Sequence, residues 1–161
     1  MGPRQLAPPR AVVLGVGNVL LGDEGVGVRG VELLERAGRL PPFARAIDGG
    51  CSTHELIGEL EELELLVLLD AVVTGSAPGT LIRLEGDAIP SAFGNRLSPH
   101  QSGLNDLLAN LRLLGRAPRR VTLLGVEPQS LALSLELSPP VAKALPALVE
   151  RALAEVATLG A

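Results

Sequence analysis

An uninterrupted apolar run in the middle of the chain constrains the fold more than any other feature. Residues 65–69 read LLVLL and are followed by Asp70-Ala-Val-Val. Such a run is typical of a strand that is buried on both faces, as in the interior of a parallel sheet. It is far too short to span a bilayer. We therefore predict a central strand over Leu65–Val73.

Strand-like and helix-like stretches alternate on both sides of this run. This order predicts an α/β protein with a three-layer αβα architecture and a twisted, mostly parallel central sheet of about five strands. The predicted strands are Ala11–Val16, Phe43–Ile47, Leu65–Val73, Thr80–Leu84 and Arg120–Val126. The predicted helices are Gly25–Ala37, His54–Glu62, Gln101–Leu114 and a last one from Pro139 to about Leu159, which Pro146 should kink or split.

Size and composition limit the classes of partner. The 161 residues suggest a single domain over residues 11–161, after a flexible lead-in at residues 1–10. The net charge is −4, and no basic cluster stands out beyond Arg116–Arg120, so we expect neither nucleic acid nor membrane as a partner. The single cysteine, Cys51, agrees with a reducing, cytoplasmic setting.

A glycine-rich turn follows the first predicted strand and raises the question of a nucleotide site. Gly15 and Gly17 match the start of the dinucleotide fingerprint G-x-G-x-x-G, but its third position holds Leu20. The P-loop pattern also fails, because Asp23 stands where its lysine should be. Asp48, after the second strand, is the one feature that still fits a ribose.

The acids themselves point to another kind of site. Asp23 is most simply a cap of the following helix. Glu24, in contrast, lies between glycines at the edge where ligands of such sheets bind, and Asp70 interrupts an apolar run at the same edge. The loop at 97–101, which carries His100, could reach this edge too. One Glu, one Asp and one His would form a mixed oxygen and nitrogen ligand set that suits zinc or nickel and leaves coordination positions open.

Other catalytic patterns are weaker. The sequence has no G-x-S-x-G nucleophile elbow, and Cys51 with His54 is not a convincing nucleophile–base pair. A non-catalytic α/β module that binds a nucleotide or a metal stays open as an alternative.

Four separate blocks resemble those of one protein family. Gly15-Val-Gly-Asn-Val-Leu-Leu-Gly-Asp-Glu-Gly-Val-Gly-Val-Arg is similar to the opening signature of the maturation endopeptidases of nickel–iron hydrogenases. Asp48-Gly-Gly, Leu69-Asp70-Ala71 and Leu97-Ser-Pro-His100-Gln-Ser-Gly resemble its three later blocks, in the same order and spacing. The resemblance extends from about Ala11 to the last helix.

The resemblance implies a peptidase that acts on the precursor of a hydrogenase large subunit. It would make one hydrolytic cut, which removes a short C-terminal extension after nickel has been inserted. The family's metal ligands correspond to Glu24, Asp70 and His100, and a further acid linked to activity corresponds to Asp48. Nickel would be carried by the substrate, and either Asp48 or Asp70 would be the general base. We expect a monomer that meets its substrate transiently.

Overall fold

A computed structural model describes residues 7–51, 54–89 and 99–160, without the side chains of residues 54, 99 and 100. Its strands are β1 (Ala11–Val16), β2 (Ala44–Gly50), β3 (Leu65–Ala71), β4 (Leu81–Glu85) and β5 (Arg120–Val126). Its α-helices of four residues or more are α1 (Val26–Ala37), α2 (Ile57–Leu60), α3 (Pro99–Leu113) and α4 (Pro139–Ala157). Short 3-10 helices at Gly22–Gly25 and His54–Leu56 precede α1 and α2.

The five strands form one sheet in the order β2-β1-β3-β5-β4. All pairs are parallel except the last, in which β4 runs antiparallel to β5 at one edge. Every residue of β1 and of β3 is buried, because each of these strands is covered on both faces and paired on both sides. The predicted mostly parallel α/β sheet of five strands is therefore confirmed.

Alternation of side chains along the strands divides the core into two layers. On one face, Val13, Val67 and Leu124 contribute to a cluster with apolar residues of α1 and α4. On the other face, Leu14 and Leu68 contribute to a cluster with apolar residues of α2 and α3. The sheet is thus the middle of three layers, and the carboxyl ends of its four parallel strands lie at one edge.

Helix α1 packs unusually closely on the sheet at its first turn. A Cβ atom on Gly27 would lie 2.0 Å from the carbonyl oxygen of Leu69 and 2.6 Å from that of Val16, so only glycine fits there. Leu20, at the third position of the partial dinucleotide fingerprint, is instead 51% exposed. In the fingerprint, the glycine at that position lets the helix pack closely on the strand. In this chain Gly27, seven residues later, allows that close packing.

Several element boundaries differ from the prediction, and those of β2, α2 and α3 bear on the site. β2 continues to Gly50 because Asp48 pairs with Gly15 of β1, whereas we predicted that the strand ends at Ile47. α2 ends at Leu60, and Glu62 then adopts a positive φ of 59°. α3 begins at Pro99, so residue 100 lies in the first turn of the helix and not in a loop before it.

Pro146 does not split the last helix. α4 runs from Pro139 to Ala157 with Pro146 inside it. A proline at this position leaves the carbonyl of Ala142 without its helical hydrogen bond. Both residues are exposed, so water can bind that carbonyl, while Val141 and Leu148 keep the two flanking turns on the core.

The chain around the amino edge of the sheet is held by Arg10. Its backbone N–H donates to the carbonyl of Phe43 (2.8 Å), and its guanidinium pairs with the carboxylate of Glu64 (2.9 Å). Residues 1–6 of the predicted lead-in lie outside the described residues. In the described part of the chain, no helix is long and apolar enough to cross a membrane.

Thr122 offers a test of this packing. Its side chain is fully buried in β5, and its hydroxyl has no hydrogen-bond partner among the described residues. We expect Thr122→Val to raise the free energy of unfolding by about 1 kcal/mol, because it removes an unsatisfied buried polar group. Urea unfolding measures the difference.

The matched control is Thr74→Val. The hydroxyl of Thr74 donates to the buried carboxylate of Glu127 (2.8 Å), so its loss should lower stability. A Thr122→Val variant that is less stable than wild type would contradict the interpretation.

Candidate active site

Asp70 lies at the carboxyl end of β3 and is almost completely buried, with 1% of its surface exposed. Its Oδ1 accepts a hydrogen bond from the N–H of Ala71 (2.8 Å), and its Oδ2 accepts one from the side-chain amide of Gln101 (3.0 Å). A carboxylate inside a sheet core needs such donors. The predicted placement of Asp70 at the ligand edge of the sheet is what the structure shows.

Gly17 brings Glu24 close to Asp70. A Cβ on Gly17 would lie 1.9 Å from the backbone carbonyl oxygen of Glu24 and 3.7 Å from Oδ1 of Asp70, so the backbone of Glu24 and the carboxylate of Asp70 both adjoin this glycine. Gly17 has a φ of 128°, a conformation that L side chains rarely adopt. Glu24 itself lies in the 3-10 helix Gly22–Gly25 and is half-buried. The glycine turn therefore brings the backbone of an acidic residue close to Asp70, at the edge of the sheet where a dinucleotide fold binds a phosphate.

Asp48 and Cys51 approach the same point from β2. Asp48 is exposed, and its Oδ1 accepts the N–H of Gly50 (2.8 Å). The sulfur of Cys51 lies 3.7 Å from the carbonyl oxygen of Gly17. Burial raises the pKa of the Cys51 thiol, and the charges of Glu24 and Asp48 raise it further. Three acidic residues thus gather around the ends of β1, β2 and β3.

His100 is the predicted site residue that cannot be placed in full. Its backbone lies in the first turn of α3, directly before Gln101, which contacts Asp70. Its imidazole lies outside the described side chains. Among the side chains that are described, no three His, Cys, Asp or Glu residues form a group that could hold a metal ion. The three-ligand set of Glu24, Asp70 and His100 therefore stays a prediction.

The sequence predicts that Asp23 caps the following helix, and this prediction is wrong. Asp23 instead anchors a distant loop. Its side chain makes no capping bond to the helix. Its carboxylate instead accepts the N–H groups of Gln129 (2.8 Å), Ser130 (3.0 Å) and Ser138 (2.7 Å) and the hydroxyl of Ser138 (2.7 Å). The side chain is 1% exposed. Local sequence could not reveal this role, because the donors come from the end of the chain.

Burial alone would raise the pKa of Asp23, but the hydrogen bonds from Ser138, Ser130 and Gln129 outweigh burial. The pKa of Asp23 therefore lies below its usual value. The charged form is the one that holds the loop.

Gln101 is a second site residue that the sequence interpretation missed. It is 8% exposed, and its amide donates both to Asp70 and to the carbonyl oxygen of Ala71 (3.3 Å). One signal was available, since Gln101 precedes Leu104 and Leu108 at helical spacing on the buried face of α3. A polar residue in such a row needs a buried partner, and here the partner is Asp70.

The site as a whole is a cluster of carboxylates at one edge of a parallel sheet. Asp70 is buried and oriented by two donors, Glu24 is half-buried on the 3-10 helix whose backbone adjoins Gly17, and Asp48 is exposed. Among the described side chains these acids do not form a metal-binding group by themselves, so a metal ion there would need further ligands. A carboxylate that is oriented in this way can accept a proton from water.

Comparison with known proteins assigns the chain to a family. The family model described as hydrogenase maturation protease matches residues 28–155. The chain is 42% identical to the hydrogenase 2 maturation protease of Escherichia coli strain K12 over 152 residues, which are 94% of this chain and 93% of that protein. The chain belongs to the hydrogenase maturation protease family.

Solved structures agree with the assignment. The hydrogenase maturating endopeptidase HybD from E. coli superimposes with a TM-score of 0.88 at 42% identity, over 94% of each chain. HybD from Thermococcus kodakarensis, described as a nickel–iron hydrogenase maturation protease, gives a TM-score of 0.78 at 25% identity, over 91% of this chain and 99% of that one. The protein is thus a peptidase of this family, and the resemblance predicted from its four sequence blocks is confirmed.

The Asp23 anchor generates a prediction for the protease that depends on pH. Asp23→Asn should lower the free energy of unfolding at pH 7 by about 2 kcal/mol, because buried hydrogen bonds to a charged acceptor are lost. The native pKa of Asp23 is depressed, so the charge stabilises the fold above the unfolded pKa of about 4 and stops doing so as the pH falls through the native value. Denaturant unfolding of wild type and Asp23→Asn at several pH values measures the difference in their free energies of unfolding.

We expect the stability difference between wild type and Asp23→Asn to shrink steadily below pH 4. Glu35→Gln, at an exposed position of α1, is the control and should show no such trend. A difference that does not change with pH would contradict the role of the charge.

Gln101 should act as a positioning residue for Asp70. Gln101→Ala removes one of the described donors to the carboxylate, and we expect the rate of substrate cleavage to fall by about tenfold, the effect of misorienting a reacting group by a fraction of an ångström. Gln129→Ala is the matched control, because Gln129 binds Asp23 through its backbone and its side chain is exposed.

A purely structural role would give a lower unfolding temperature with an unchanged turnover number at a temperature where the variant is folded. Partial recovery of turnover in Gln101→Asn, which keeps an amide donor, would support positioning. Equal turnover in Gln101→Ala and wild type would rule it out.

Proposed function

We propose that this protease removes a short C-terminal extension from the precursor of a nickel–iron hydrogenase large subunit, after nickel has been inserted. The observation that carries the proposal is that the buried Asp70 carboxylate and the backbone of the half-buried Glu24 both adjoin Gly17, in a member of the hydrogenase maturation protease family. These acids recognise the nickel of the substrate together with His100.

The ligand chemistry supports recognition of a metal that another protein already holds. Two carboxylates and one imidazole are an open set that leaves coordination positions for the substrate's thiolates. The contact between Gln101 and Asp70 supports a position of His100 near the site, because His100 is the residue directly before Gln101 in α3. An incomplete site is selective, because it binds tightly only when the substrate brings both the metal and its remaining ligands.

The reaction is hydrolysis of one peptide bond. Water adds to the scissile carbonyl carbon, the carbon–nitrogen bond breaks, and the proton lost by water passes through a carboxylate to the leaving amine. Nickel in the substrate orients the extension and polarises the scissile carbonyl or activates the water. Such a mechanism explains a peptidase without a serine or cysteine nucleophile.

Asp48 and Asp70 are the two candidates for the general base. Asp48 is exposed and accepts one backbone N–H group, so a water molecule can reach its carboxylate. Asp70 is buried and holds two hydrogen bonds from described donors, which favours a fixed role in binding. We propose that Asp48 takes the proton and that Asp70 binds the metal, in a protease that acts as a cytoplasmic monomer.

The proposal predicts that cleavage depends on nickel. Purified precursor of the large subunit, prepared with and without nickel, is incubated with the protease, and loss of the C-terminal extension is measured by mass spectrometry. We expect cleavage of the nickel-loaded form and none of the nickel-free form. Equal cleavage of both forms would rule out recognition of the metal.

Variants in the same assay separate the residues. Glu24→Gln, Asp70→Asn and His100→Ala should lose binding of the nickel-loaded precursor together with cleavage, whereas Asp48→Asn should still bind it but cut it slowly. His54→Ala is the matched control for His100→Ala, because His54 is the only other histidine in the sequence. Normal cleavage by all four site variants would place the site elsewhere.

A further inference from the structure

A group of exposed leucines lies beside the candidate active site and has no role in the fold. Leu133 is 82% exposed, Leu135 65%, Leu20 51% and Leu131 46%. We call these four residues the leucine rim. Three of them belong to residues 128–135, PQSLALSL, a segment without any charged residue. Single exposed leucines are common, but a group of them on one uncharged segment is typical of an interaction surface.

The leucine rim is held in place and cannot fold inward. The N–H of Ser134 donates to the carbonyl of Leu20 (2.9 Å), and the N–H of Gly22 donates to the carbonyl of Ser134 (2.9 Å). The guanidinium of Arg29 also donates to the carbonyl of Leu135 (3.2 Å). The apolar side chains are therefore preorganised at the surface, which lowers the entropic cost of binding a partner.

The same hydrogen bonds connect the rim to the site. Asp23 accepts the N–H groups of Gln129 and Ser130, and its own N–H donates to the carbonyl of Ser130 (3.2 Å). The next residue in the chain is Glu24, one of the two acids beside Gly17. The segment that carries three leucines of the rim is therefore hydrogen-bonded to the segment that carries Glu24.

We propose that the leucine rim docks the protein substrate, through an apolar surface next to the substrate's scissile segment. This inference rests on the proposed function, because it takes the substrate to be a folded precursor. Its occupant is a protein and not a membrane, because an anionic lipid surface requires cations beside the apolar residues. The guanidinium of Arg29, which contacts the rim, is already bound to Glu32 and to Leu135.

Docking at a distance from the scissile bond supplies binding energy that a small carboxylate site cannot. Contacts that are equally strong in the bound substrate and in the transition state lower KM and leave kcat unchanged. The rim would also let the protease distinguish its precursor from free nickel complexes, which have no surface to place on the leucines.

The test is the substitution Leu133→Glu, assayed with the full nickel-loaded precursor. We expect KM to rise by about tenfold or more, because a buried leucine contact is replaced by a charge, while kcat at saturating precursor stays within about twofold. Leu133→Ser should change KM in the same direction by a smaller factor. Thermal unfolding should match wild type, because Leu133 contributes nothing to the core.

Leu113→Glu is the matched control. Leu113 is the last residue of α3 and is 87% exposed. The first turn of α3 contacts Asp70 through Gln101, and the helix ends near the amino edge of the sheet. The variant Leu113→Glu carries the same substitution far from the site, so its KM should equal that of wild type. An equal rise of KM in both variants would show a general effect of charge and would overturn the proposal.

The outcomes separate this inference from the proposed function. If wild type does not cleave the precursor at all, the proposed function fails. If wild type cleaves it and Leu133→Glu has an unchanged KM, the function stands and docking at the rim is wrong. If Leu133→Glu converts a wild-type dimer to a monomer in size-exclusion chromatography without a change in KM, the rim binds a second copy of the chain and docking of the substrate is again wrong.

Discussion

The contact between the backbone of α1 and the backbone of the sheet is the constraint on which the site depends. Gly27 allows the helix to begin directly against the carbonyl groups at the ends of β1 and β3. A side chain there would push the helix outward and carry the preceding 3-10 helix with it. Glu24 belongs to that 3-10 helix, so its distance from Asp70 is set by a glycine three residues further along the chain. Close packing at one backbone position thus determines the geometry of two side chains.

Two neighbouring acids in this region have opposite roles. Asp23 is buried, charged and saturated with hydrogen bonds from a distant loop, so it contributes to structure. Glu24 is half-buried at the edge of the sheet, next to Gly17. The difference follows from the 3-10 helix that carries them, in which successive side chains point in different directions. The Asp23 side chain is enclosed by the protein, whereas the Glu24 side chain is partly exposed to solvent.

The sequence predicted the centre of the fold better than its edges. β1 and β5 have the predicted bounds and β3 begins where predicted, because apolar runs that are buried on both faces leave little ambiguity. β2 was predicted too short, since Asp48-Gly-Gly has the composition of a turn, yet pairing with β1 continues through it. Local composition cannot show which partner an edge strand will find.

The absence of distant partners from local sequence also explains which features of the site could be predicted. The positions of Glu24 and Asp70 at the ligand edge could be predicted, because Glu24 follows β1 and Asp70 lies at the carboxyl end of β3. The anchoring role of Asp23 and the support of Asp70 by Gln101 depend on contacts between distant parts of the chain. No local pattern encodes such partners, although the polar Gln101 in an apolar helical row was a visible signal.

The anchor at Asp23 also has a consequence for the order in which the protein forms. Asp23 binds Ser138, which is separated from it by 115 residues. Contacts of such separation close late, because a long loop must first be ordered. On the ribosome, the first strand and its glycine turn emerge well before the segment that will hold them. The edge that carries Glu24 therefore acquires its support only after Ser138 has been synthesised, so a growing chain has its acids before it has its active site.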